Sequence, residues 1–372
     1  MAIEVFTLEA LNAQHGDSLL LHYGSKSRPS VLVVDGGPRG VYKASLRPRL
    51  EQLRTKAKVD KLPIEHVFVT HLDSDHIRGI IDLAAEIKKG EAPVECTSFW
   101  FNTFEDAMTA LPPEVAAAKG GLEDDDMHSS DAVIASVPEG QSLRDTVATL
   151  KARVNGGSGA LLLADGKGVP LKVSKDLKVT LVCPDKDHLR KLAKDWQKKA
   201  KPSKAETAAY VDQSVYNLSS LVMVVEASDE SGKSARILLT GDARGDHILA
   251  GLKAAGFLSS KGTAHFNILK VSHHGSDRDY EAEFFKKVTA DNYVISANGR
   301  DENPSLDVLE WIAQGAKKPY VVWMTNEKDT GYSALEENVA AAKKAAPNLK
   351  AALRFRKATD LSVKVDLFKP IA

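Results

Sequence analysis

Between an apolar strand signal at residues 64–69 and a helical pattern at 77–88, the chain runs His71-Leu72-Asp73-Ser74-Asp75-His76. Two imidazoles and two carboxylates thus share one turn between a buried strand and a helix. A fold that accepts this turn must open the strand's end onto a polar site. His71 and Asp73 face one way while Asp75 and His76 sit at the helix entrance, so one tight loop can address two adjacent cations. Imidazole suits zinc, manganese, iron and nickel, and carboxylate hardens the set toward oxygen-preferring metals. The competing reading is a helix cap at Asp75 with both histidines exposed on a polar loop.

Two further apolar strand signals end in the same manner. Ile237-Leu238-Leu239-Thr240-Gly241-Asp242 presents a single carboxylate at a strand's C-terminal edge, as a bridging ligand would be. Ile268-Leu269-Lys270-Val271-Ser272-His273-His274-Gly275-Ser276 ends in adjacent histidines, of which at least one can reach a shared site. Taken singly, Asp242 reads equally as a helix cap and the histidine pair as a polar turn. Three strand ends with ligand-type residues point instead to one place where the strands converge.

The first and last thirds alternate strand and helix signals, which predicts helices packed outside sheets, an α/β architecture. Strand signals lie at 3–8, 17–23 and 30–34, then at 216–226, 235–240, 267–271, 293–296 and 320–323. Helical patterns lie at 41–56, 246–255, 280–288 and 305–314. From about 103 to 213 the character changes to Ala-rich and charged helical runs, broken by strand-like pieces at 160–163 and 177–182. The expectation is one domain over 1–372 with a largely helical insertion at about 103–213. The acidic run at 123–126 and the basic run at 187–204 read as solvated helix faces.

Fifty basic residues balance fifty acidic ones, so no global positive field holds nucleic acid or anionic membrane. A nucleic-acid substrate would need a local patch, for which residues 186–204 are the candidate. Cys96 and Cys183 lie apart in apolar segments and read as buried thiols. The start lacks a basic leader, and no apolar run approaches the roughly 18 residues of a membrane span. A cytoplasmic location with no membrane partner is expected.

Gly16-Asp17-Ser18, Asp35-Gly36-Gly37, His71-x-Asp73-x-Asp75-His76, Gly241-Asp242 and His273-His274-Gly275-Ser276, in that order, resemble the metallo-β-lactamase superfamily. Within it, the chain is most similar to the branch typified by the hydrolase domain of the bacterial DNA-uptake competence protein. The motifs span residues 3–325 and leave the insertion uncovered. The resemblance implies an αββα sandwich, with metals at one edge of two sheets. It implies that His71 and Asp73 bind a first divalent ion, Asp75 and His76 a second, with Asp242 bridging and His273 or His274 completing the second site. Asp75, His76 and Asp242 are the expected catalytic core.

Three positions depart from the common pattern. Asp73 stands where a histidine is usual, which makes manganese a rival to zinc. Asn217 replaces another histidine, as is common in this branch, so single occupancy is the alternative to two ions. Asn303-Pro304 replaces a His-Pro pair.

Two adjacent cations activate water and stabilise developing charge, so hydrolysis is the expected chemistry. The branch favours phosphoesters, with a nucleotide, a small phosphodiester or nucleic acid as the anionic substrate. Ser276, Arg278 and Asn303 near the rim are candidate substrate contacts, or else turn and surface residues. A lactone or amide hydrolase is the enzymatic alternative, and a binding module with a vestigial metal site is the non-enzymatic one. His15, His22, His66, His128, His188, His247 and His265 read as non-ligands, and Trp100, Trp196, Trp311 and Trp323 as packing residues.

Overall fold

Apolar residues that alternate along the strands sort the chain into two sheets lying face to face. The computed structural model describes residues 3–103, 131–186, 219–317 and 319–371. The acidic run, almost all of the basic run, Asn217, His128, His188 and Trp196 lie outside these residues.

The first part runs β1 (Val5–Leu11), β2 (Leu19–Gly24), β3 (Pro29–Val34), a π turn at Tyr42–Leu46, α1 (Arg47–Ala57), β4 (Leu62–Ile64) and β5 (Val67–Phe68). It continues through α2 (Ser74–Lys89), β6 (Val94–Cys96), β7 (Ser98–Trp100), α3 (Asp131–Thr149) and β8 (Arg153–Val154). Next come β9 (Val169–Leu171), β10 (Lys178–Cys183), β11 (Val222–Ser228), β12 (Ser234–Leu239) and α4 (Gly245–Ala254). Then follow β13 (Ala264–Lys270), α5 (Ala282–Lys287), β14 (Val288–Ile295), α6 (Leu306–Gly315) and β15 (Val321–Met324). The last elements are α7 (Ser333–Ala345), α8 (Pro347–Ala352), β16 (Leu353–Phe355) and β17 (Ser362–Asp366).

One sheet has the order β17-β1-β2-β3-β5-β7-β8, the other β16-β15-β14-β13-β12-β11-β10-β9, and β4 pairs with β6 apart from both. Phe6, Leu8, Leu21 and Leu32 face Leu181, Met223, Ile237 and Ile268 between the sheets. On the outer face of the first sheet, Leu20 and Val33 pack with Leu50, Ile77, Ile80 and Leu83 from α1 and α2. On the outer face of the second, Leu238 and Leu269 pack with Ile248, Leu252, Leu309 and Ile312 from α4 and α6. Ile237 and Leu239 point inward and Leu238 outward, the two-residue period of a strand buried on both faces. The layers are therefore helix, sheet, sheet, helix, the αββα arrangement expected.

Several local expectations change. Residues 64–69 are not one strand: Ile64 ends β4, and the chain jogs at Glu65 and His66 before β5. Buried His66 holds that jog, with Nε2 2.7 Å from the Val173 carbonyl and Nδ1 accepting from Trp100 Nε1. Residues 160–163 form no ladder, because Leu162 pairs with the Asn102 side chain, its N–H donating to Oδ1 and its carbonyl accepting from Nδ2. Inside the stretch read as an insertion, β8 joins the edge of the first sheet, and β9 and β10 extend the second. At the C-terminal side, β16 and β17 add strands the sequence pattern did not single out. Cys183 is buried and Cys96 half-buried, and both are free thiols.

Strands β3 and β5 are parallel, as are β12, β13, β14 and β15 in succession. Their C-terminal ends run into Asp35, Thr70-His71, Asp242, His273-His274 and Ser296, so every ligand-type motif emerges at one edge of the sandwich.

Candidate metal centre

Asp73 sits at the N-cap position of α2 with extended backbone, and its carbonyl accepts from the N–H groups of His76 and Ile77. The helix therefore starts at Ser74 and carries Asp75 and His76 in its first turn. Asp242 follows Gly241, whose positive φ of 51° and Cβ-free approach to Thr70 allow a tight turn after β12. Arg244, not Asp242, occupies the N-cap of α4. His273 and His274 both adopt left-handed backbone, φ 48° and 55°, unusual for non-glycine residues and found where the surroundings enforce it. That curl turns both rings toward Asp242.

The side chains converge on the Asp242 carboxylate. Oδ1 lies 3.3 Å from His76 Nε2, and Oδ2 lies 3.7, 3.5 and 3.9 Å from Nε2 of His71, His274 and His273. Asp73 Oδ2 is 3.5 Å from His71 Nε2, and Asp75 Oδ2 is 3.2 Å from His274 Nε2 and 4.0 Å from His76 Nε2. His71, His76, His274 and Asp242 form a buried floor, whereas Asp73, Asp75 and His273 have side chains 25%, 23% and 31% exposed and form the open side.

The opposite ring nitrogens have partners of their own. His76 Nδ1 lies 2.9 Å from Asp35 Oδ2, His274 Nδ1 lies 3.0 Å from the Ser296 carbonyl, and His273 Nδ1 contacts Asp279. Thr70 Oγ1 donates to Asp35 Oδ2, so it accepts at 3.1 Å from His71 Nδ1–H. With hydrogen on Nδ1, each of the four rings would turn Nε2 inward, the arrangement that second-sphere partners impose on metal-binding histidines.

The carboxylates and imidazoles of the site hold one another in their charged forms. Burial would raise the Asp242 carboxyl, but His76, His274, His273 and His71 hold it well below the usual range. Burial would lower His76, yet Asp242, Asp75 and Asp35 hold it well above the usual imidazole range. His273, lowered by burial but raised by Asp242 and Asp279, is pushed up to about 9. Buried His71 Nε2, Asp73 Oδ1 and Asp242 Oδ1 have no hydrogen-bond partner, which is costly unless something else binds them. The donor set fits divalent ions, and ligating atoms of His71, His76 and Asp242 lie within 4.8 Å of one another. Asp17, His76 and His274 satisfy the same distance. Asp17, however, lies on the Nδ1 side of His274, at 3.5 Å, and 2.6 Å from Lys270 Nζ.

The rim residues singled out as substrate contacts are divided. Ser276 Oγ accepts from the Arg278 N–H at 3.3 Å and closes a turn. Asn303 is buried, and its main chain bonds Gly299 and Arg300. Arg278 is exposed in a groove with Arg244, Tyr280 and Lys287. His22 pairs with Glu9, and His265 with Thr289 and Asp291. Sequence reading gave no role to Thr70, Asp279, Ser296 or Lys270. The signal for the last was there: a lysine inside an apolar strand.

Residues 28–139 match the family described as the Metallo-beta-lactamase superfamily, a stretch holding Asp35 and the whole His71–His76 turn. The fold is the metallo-β-lactamase αββα sandwich. Solved structures similar to the chain include the metallo-β-lactamase MIM-1 from Novosphingobium pentaromativorans, 15% identical, covering 70% of this chain and 74% of that one at a TM-score of 0.28. Another is the metallo-β-lactamase SMB-1 in a complex with mercaptoacetic acid, 13% identical, covering 94% and 97% at a TM-score of 0.31. No curated protein matches the chain. Among the described residues, no helix is long and apolar enough to cross a membrane.

Proposed function

We propose that this protein is a metal-dependent hydrolase of phosphoesters. The observation that carries the reading is the convergence of four imidazole Nε2 atoms and two further carboxylates on Asp242, with the open side formed by Asp73, Asp75 and His273. His71, Asp73 and Asp242 would hold one divalent ion, and Asp75, His76, His274 and Asp242 the other, with His273 at the edge of both. When bound, such ions supply Lewis acidity and lower the pKa of an attacking water. The protein's share is to hold Nε2 lone pairs in place through Asp35, Thr70, Ser296 and Asp279, and to keep the floor dry. Asp75, at the solvent edge beside His274, would help to hold the cluster and orient the water.

Carboxylate at Asp73 supports oxygen-preferring ions such as manganese beside zinc, and such ions suit phosphoryl oxygens. The order of motifs shared with the competence-type branch supports the same substrate class. Balanced charge favours a nucleotide or small phosphodiester over tight non-specific binding of a polymer.

The test compares turnover of bis-(p-nitrophenyl) phosphate with lactone and lactam panels, under added manganese or zinc, in the wild type and in Asp75→Ala/His76→Ala. Phosphodiester turnover abolished in the double variant is the expected result. Turnover of only lactones or lactams overturns the substrate class, and biological activity that survives the double variant overturns catalysis itself.

A further inference from the structure

Lys270 closes β13, and its side chain is 1% exposed, as is that of Asp17. Its Nζ lies 2.6 Å from Asp17 Oδ2 and donates to the Val271 carbonyl at 2.8 Å. Burying an ion pair strips water from both partners, and a well-packed apolar pair of similar volume is commonly as stable or more so. Stability alone therefore does not account for this pair. Its surroundings do. The other Asp17 oxygen faces His274 Nδ1 at 3.5 Å, and the Asp17 N–H donates to the Asp75 carbonyl at 3.2 Å. The adjoining Gly16 carbonyl accepts from Ser296 Oγ at 2.6 Å, and the Ser296 carbonyl accepts from His274 Nδ1.

The ligand-type residues come in two halves. His71, Asp73, Asp75 and His76 follow β5 of one sheet, and Asp242, His273 and His274 follow β12 and β13 of the other. Asp35 backs His76 from within the same sheet's loops, and Asp279 backs His273 likewise. His274 differs, because its carboxylate reaches across from the loop between β1 and β2.

We propose that Asp17 and Lys270 are a positioning pair that pins the two sheets together beneath the centre and sets His274, and so governs the ion shared by Asp75, His76 and His274. Neither residue touches that ion or the substrate; Asp17 acts through His274 and Lys270 through Asp17. This inference rests on the metal-centre reading of the site and is independent of which ester is cleaved.

The test uses the full chain stripped of metal, with Mn2+ and Zn2+ titrated against a chelating dye, bound metal counted by elemental analysis, and Tm recorded. Variants are Lys270→Met, Asp17→Asn and the apolar pair Asp17→Leu/Lys270→Met. Each single variant is expected to keep one ion and to weaken the second 10- to 100-fold, the usual effect of removing an outer partner of a metal-bound histidine. The apolar pair regains Tm but not the second ion. If the apolar pair binds both ions as the wild type does, the residues serve packing only and the proposal is overturned. If Lys270→Met does not fold, Asp17→Asn and the apolar pair decide the matter by the same readout. A wild type that binds no ion overturns the metal-centre reading together with this one, whereas a wild type with two ions and unaltered variants overturns this one alone.

Discussion

Asp35 Oδ2 lies 2.9 Å from His76 Nδ1 and also accepts from the Thr70 hydroxyl, while Asp35 Oδ1 accepts from the Thr70 N–H at 2.7 Å. One carboxylate, held by left-handed backbone at φ 59°, thus orients two of the four imidazoles, His76 directly and His71 through Thr70. Asp35→Asn keeps the shape but replaces an acceptor by a donor on one side. Metal affinity is expected to fall 10- to 100-fold, with the metal-free fold retained. Calorimetric titration of the stripped variant, with circular dichroism as the control for folding, gives the answer.

Removing the central carboxylate is harsher. Asp242 contacts all four ring nitrogens, so Asp242→Asn is expected to lose at least one bound ion and to cut phosphodiester turnover by about a thousandfold or more. Chelation of the wild type should also lower Tm, because an ion at about 100 times its Kd adds about 2.7 kcal/mol to the folded state. Identical melting curves with and without chelator would contradict the assignment.

Glu9 supplies a pH prediction remote from the centre. Burial raises its carboxyl, but the hydrogen bond and charge of His22 and then Arg49 bring it down to about 2 from 4.5. A depressed carboxyl adds stability above its unfolded value and loses it as pH falls toward the folded one, here between about 4.5 and about 2. The shift corresponds to roughly 3 kcal/mol. Urea unfolding of wild type and Glu9→Gln should differ most near pH 6, with the gap closing toward pH 2; a gap independent of pH refutes the assignment.

Backbone contact between the loop after β3 and α2 sets the depth of the His71–His76 turn. A Cβ at Gly79 would lie 2.0 Å from the Gly36 carbonyl oxygen, and one at Gly36 would lie 2.4 Å from the Ile80 nitrogen. Gly79→Ala must push the helix outward and carry Asp75 and His76 with it, despite alanine's better helix propensity. A loss of roughly 2 kcal/mol or more is expected, together with weakened metal binding. Gly90→Ala, at the helix's exposed end with open space around the Cβ but φ 77°, should cost stability without altering metal affinity.

Much of the centre was legible because its chemistry is local. His71, Asp73, Asp75 and His76 lie within six residues, and a strand's end fixes where such a turn opens. Asp242 and the His273-His274 pair were legible as strand ends, yet the left-handed curl that turns both rings inward is a property of the folded surroundings. The partnership of Lys270 with Asp17 was opaque for the opposite reason: it joins a strand of one sheet to a loop of the other, and no periodicity reports contacts between sheets. The same holds for β17, a short strand whose alternating Val363 and Val365 gain meaning only beside β1.

That last strand constrains the order of assembly. Thr7 and Asp366, 359 residues apart, pair in the ladder that completes the first sheet, and Ser362 reaches buried Glu9. A nascent chain emerging from the ribosome therefore holds one side of β1 unsealed until residues 362–366 have been made. Closing so long a loop is entropically expensive and slow, so the newborn protein passes through a period in which an unpaired edge is open to chaperones and to its neighbours alike.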